Sequence, residues 1–78
     1  MGRNDEDFLR EFGARLARLR QARGLSQNDL ARMLPGGPDS SQVSRWERGR
    51  TFPSHRNRRA LAKALGVPEQ RLFYDPPA

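Results

Sequence analysis

Ser40, Ser41, Ser44, Arg45 and Arg48 recur through one short stretch, spaced so that a helix would carry them on one side. At about 100° per residue, Val43 and Trp46 fall within about 60° of each other, with Glu47 at the edge of their sector. The hydroxyls and guanidinium groups gather opposite. Hydroxyls donate to or accept from base edges, and a guanidinium pairs in bidentate fashion with O6 and N7 of guanine. After the cap residue Asp39 no acid lies on that face. The chemistry on offer is recognition of an anionic, hydrogen-bonding polymer, not bond making or breaking. An ordinary amphipathic helix with a solvated polar side has the same pattern, so the rest of the chain must decide.

Charge points the same way. The 78 residues include fifteen Lys and Arg against nine Asp and Glu, a formal net charge of +6, and all the basic residues but Lys63 are arginine. Such an excess attracts polyanions, because neutralising phosphates releases condensed counterions. Catalysis is poorly provided for. There is no cysteine, so disulfides and thiolate metal sites are unavailable. The single histidine, His55, makes neither a metal site nor a catalytic dyad and reads as helix-start surface. No acidic pair shares an inward helix face, and a chain this short buries only about 60% of its unfolded surface, leaving little room for a deep cleft. No enzyme, metal or cofactor is expected. The N-terminal stretch is mixed in charge, and no run approaches the roughly 18 apolar residues of a membrane span. A cytoplasmic, nucleoid-associated protein is the expectation.

Breakers cut the chain into five segments of helical periodicity, and no apolar residues alternate over a strand's length. The first helix is expected over 7–22, with Phe8, Phe12, Leu16 and Leu19 as one apolar stripe and Arg10, Arg15 and Arg18 mostly off it. The second covers 26–34, capped by Ser26, with Leu30, Ala31 and Leu34 inward. Pro35-Gly36-Gly37-Pro38 forces a turn, and Asp39 caps a third helix over 40–48. Ser54 caps a fourth that runs to Leu65. Gly24, Gly49 and Gly66 stand at the stops. Val67-Pro68 opens a last short helical turn carrying Leu72, Phe73 and Tyr74. The expected architecture is all-α: one domain over 1–78, a five-helix bundle with frayed ends at 1–6 and 75–78.

Within this frame Phe12-Gly13-Ala14-Arg15-Leu16-Ala17-Arg18-Leu19-Arg20, Arg23-Gly24-Leu25-Ser26-Gln27-Asn28-Asp29-Leu30-Ala31 and Val43-Ser44-Arg45-Trp46-Glu47-Arg48-Gly49 closely resemble the Cro/C1-type (XRE) helix-turn-helix family. Pro53-Ser54 and Leu61-Ala62-Lys63-Ala64-Leu65-Gly66-Val67-Pro68 extend the resemblance, which covers residues 8–74. It implies a phage-repressor-like DNA-binding fold, with the third helix in the major groove. By the same resemblance Ser40, Ser41 and Arg45 would read bases. Gln27 would clamp a phosphate, helped by the start of its helix. Ser44, Arg48 and Arg50 would touch backbone phosphates. By their own charge, and not by the resemblance, Arg56 and Arg59 either extend that footprint or form a solvated basic face. Arg20 and Glu47 would form a structural salt bridge, and Trp46 would belong to the core. The turn 35–38 is longer than is usual in the family. The fourth helix also departs from it, opening with His55, Arg58 and Arg59 where apolar residues are common. Arg58 shares a stripe with Leu61, Ala62 and Leu65, so it should snorkel or find an acidic partner.

The function implied is a transcriptional repressor that binds a double-stranded DNA operator as a homodimer. Val67, Leu72, Phe73 and Tyr74 are candidates for the partner surface, with core packing against the first helix the competing role for Leu72 and Phe73. The alternative is an antitoxin that binds a toxin protein as well as its own operator. RNA binding would be compatible with the charge but lacks a stacking surface.

Overall fold

The computed structural model describes residues 5–74. Among them are four α-helices, α1 (Asp5–Ala22), α2 (Gln27–Arg32), α3 (Ser40–Glu47) and α4 (His55–Leu65), followed by one 3-10 turn, Glu69–Leu72. The fifth expected helix is therefore this single tight turn. It is four residues long and follows directly on Pro68, which has no amide proton. Helix α1 starts two residues earlier than its periodicity suggested, since Asp5, Glu6 and Asp7 in its first turn complement the helix dipole. Of the ends expected to fray, 1–6 and 75–78, Asp5 and Glu6 belong instead to the first turn of α1, and the rest lie outside the described residues.

Local chemistry starts each later helix. Ser26 and Asp29 form a reciprocal capping box on α2, with Asp29 N–H donating to Ser26 Oγ at 2.9 Å and Ser26 N–H to Asp29 Oδ2 at 3.0 Å. Asp39 accepts from the Gln42 amide at 3.0 Å to open α3, and Ser54 accepts from the Asn57 amide at 3.2 Å to open α4. Helix α2 stops at Arg32, sooner than expected, with Met33 as its C-cap; the Leu34 amide closes a final turn onto Ala31. Gly36 and Gly37 then take positive φ, 84° and 70°, which side chains with a Cβ resist. They let the longer turn double back to α3.

Trp46, Phe12, Leu16, Leu30, Leu61, Leu65, Leu72 and Val43 are fully buried and form one core with Ala31, Leu34, Ala62 and Ala64. Each large side chain so buried adds about 1.5–3 kcal/mol. Helix α1 approaches the end of α3 backbone to backbone at Gly13, where a Cβ would lie 2.5 Å from the Trp46 carbonyl oxygen and still closer to that of Glu47.

Three expectations need correction. Arg15 is buried, not off the stripe: it stands seven residues after Phe8 and four before Leu19, and its Nη1 donates to the Leu72 carbonyl at 3.2 Å. Phe8 is 40% exposed, at the rim instead of the centre, where it meets Phe52 at 5.6 Å and stacks on Phe73 at 6.3 Å between ring centroids. Arg58 donates to the Pro53 carbonyl at 2.8 Å and lies 4.9 Å from the Phe52 ring centre, so a carbonyl and a π face take the guanidinium where snorkelling or an acidic partner was expected.

Candidate nucleic-acid interface

Helix α3 is held by one side. Val43 and Trp46 are inserted in the core, and that anchoring turns Ser41, Arg45 and Arg48 to solvent, with Ser40 and Ser44 half-buried at the flank. The acid of this helix, Glu47, faces inward and is consumed there. Arg20 Nε donates to Glu47 Oε2 at 2.6 Å and Arg20 Nη2 to Oε1 at 3.1 Å. The side chains are only 12% and 7% exposed. Arg20 Nη1 also reaches the Leu25 carbonyl at 2.8 Å. The negative charge of α3 is thus neutralised behind the helix, and the outward face carries hydroxyl, amide and guanidinium groups.

Individual donors on that face are partly engaged. The Ser41 hydroxyl donates to Asp39 Oδ1 at 2.6 Å, which leaves its oxygen lone pairs outward. This bond, with the amide of Gln42 next, holds the Asp39 carboxyl below its usual 3.8. Arg45 Nη1 makes a loose 3.4 Å contact with Gln42 Oε1. Sequence reasoning passed over Gln42. It lies at the boundary between the Arg45 and Trp46 sectors, and its amide suits an adenine edge as the Arg45 guanidinium suits a guanine. Its position three residues before Arg45 was the available signal.

The flanking groups spread over three elements. After α3 the Arg50 amide donates to the Arg45 carbonyl at 2.9 Å, and Arg48 and Arg50 extend into solvent beside it. Gln27, the first residue of α2, is half-buried, and its Nε2 donates to Glu47 Oε1 at 2.9 Å. Arg56 is exposed in the first turn of α4, where it lines a shallow basic groove with His55, Arg59 and Lys63. His55 Nδ1 stands 3.8 Å from Glu69. Leu72 is fully buried and is removed from the candidate partner surface; Phe73 is half-buried against the core, and Tyr74 is 54% exposed.

Among the described residues no group of three or more His, Cys, Asp or Glu side chains is placed to hold a metal ion, and no helix is long and apolar enough to cross a membrane. What the arrangement offers is an exposed, basic, donor-rich helix face anchored on a packed core. Such a shape suits a groove in another molecule better than it suits enclosing a small one.

Comparison with known proteins agrees with this geometry. Residues 11–72 match the helix-turn-helix domain family. The chain is similar to the restriction-modification controller protein C.AhdI from Aeromonas hydrophila, with a TM-score of 0.81 and 41% identity over 91% of this chain and 100% of that one. No curated protein matches the chain.

Proposed function

The chain belongs to the helix-turn-helix domain family of DNA-binding regulators, and on that premise we propose that it is a transcriptional repressor acting as a homodimer on a palindromic operator. The observation that carries this reading is the outward face of α3: Ser41, Arg45 and Arg48 project outward while Glu47 is neutralised behind them by Arg20. In this reading Ser40, Ser41 and Arg45 touch base edges, and Gln27, Ser44, Arg48, Arg50 and Arg56 hold phosphates to either side. The likeness to a restriction-modification controller supports genes of such a system as the target.

The proposed operator calls for a second copy. Eight helical residues span about 12 Å, whereas successive major-groove faces lie about 34–36 Å apart, so a single α3 reads one half-site. Val67, Phe73 and Tyr74 are the surface we assign to that contact.

Selection of binding sites from random duplexes at two salt concentrations tests the proposal. A palindromic consensus is expected, its preference surviving the higher salt. Arg45→Ala should cost about 1–3 kcal/mol of discrimination at one or two base pairs and leave nonspecific affinity nearly intact. Binding profiles of parent and variant that coincide would remove Arg45 as a reader, and no consensus at either salt would end the regulator reading.

A further inference from the structure

We propose that Glu47 is a positioning residue for DNA binding, orienting the side-chain amide of Gln27 so that its nitrogen, not its oxygen, is presented to a backbone phosphate. This rests on the reading of Gln27 as a phosphate contact. An ionised carboxylate can only accept hydrogen bonds, so the group facing Glu47 Oε1 at 2.9 Å has to be the NH2 end of Gln27. That nitrogen has two protons. One is committed to Glu47, and the other is available to an acceptor outside the protein. A free glutamine amide turns over readily and would offer its oxygen as often, which a phosphate repels. Glu47 abolishes that choice.

The orienting group is itself held. Two bonds from Arg20 fix both carboxylate oxygens, and the Leu25 carbonyl fixes Arg20 in turn. The chain of bonds runs from Leu25 through α1 and α3 to the first residue of α2. Its members are part-buried, so water competes poorly for them. One carboxylate thereby does two tasks: it neutralises a cation between helices and sets a donor at the surface.

The test is Glu47→Gln in the full chain, alone and combined with Gln27→Leu, with affinity measured on short random-sequence duplexes. Removing the charge of Glu47 and unmasking that of Arg20 should tighten binding to a polyanion if charge alone matters. Positioning has the opposite sign. Glu47→Gln should weaken binding about two- to tenfold, the effect of one hydrogen bond, and should weaken it no further when Gln27 is already leucine. Unchanged or tighter binding, or equal weakening on both backgrounds, would overturn the positioning role. If Gln27→Leu alone binds as the parent does, the phosphate contact itself is wrong. A measurement on the unsubstituted protein guards against a variant that folds poorly. In the free chain one Gln27 amide proton should exchange with water far more slowly than its geminal partner, and equal, rapid exchange of both would also overturn the proposal.

Discussion

Gly13 lacks a side chain because the carbonyl oxygens of Trp46 and Glu47 occupy the space a Cβ would need. Helix propensity alone favours Gly13→Ala by about 1 kcal/mol, so the two considerations have opposite signs. The clash is with backbone, which cannot swing aside, and it should win: Gly13→Ala is expected to lower the melting temperature, where an exposed mid-helix glycine would raise it. Arg20 presents a different residue-scale problem. Arg20→Met leaves the Glu47 carboxylate buried with, among the described residues, only the Gln27 amide to solvate it. Loss of a buried ion-pair partner costs about 3–5 kcal/mol, and the surviving Gln27 bond argues for the lower end, about 3 kcal/mol, readable in chemical denaturation. A loss under about 1 kcal/mol would show that solvent reaches Glu47.

At the scale of elements, α2 has six residues and α3 eight, too short to persist alone. They depend on core contacts and on their caps. Both caps use a carboxylate. Hydrogen bonds from the backbone and then the hydroxyl of Ser26 hold Asp29 below its usual 3.8, and those from the Ser41 hydroxyl and Gln42 amide do the same for Asp39. These bonds favour the ionised form in the folded chain only. The stability they add is therefore full above pH 3.8 and is withdrawn as pH falls through the lower folded values. Melting temperature should decline on acidification over that window. Asp39→Asn keeps an accepting oxygen at the cap but cannot titrate, so its decline should be shallower than the parent's. Identical acid profiles would mean that the cap on α3 does not distinguish charged from neutral oxygen.

Over the whole molecule, the chain has a net charge of +6 and exposed arginines on α3, the following loop and α4, which in the proposed reading make a footprint larger than the base-reading face. Affinity for any duplex should fall steeply with salt, while preference among sequences, carried by base contacts, should fall less. Arg48→Ala separates the two. If Arg48 neutralises a phosphate, the slope of log affinity against log salt should drop by about 0.9 while the consensus stays the same. An unchanged slope would place Arg48 away from the backbone, and a changed consensus would make it a reader.

Sequence alone determined whatever depends on neighbours within a turn or two. The caps Ser26, Asp39 and Ser54, the inward pair Val43 and Trp46, and the outward Arg45 are legible because capping and helical periodicity are short-range. Tertiary structure decided which group fills which gap. Arg15 meets the Leu72 carbonyl across 57 residues, and Gln27 meets Glu47 across 20. Arg58 finds a ring and a carbonyl, and Leu72 turns inward while Tyr74 stays out. Periodicity assigns a residue to a face of its own helix, but what that face meets depends on elements that arrive from elsewhere in the chain. A buried polar group takes the partner that happens to lie within reach, because leaving it unpaired costs more than an imperfect match.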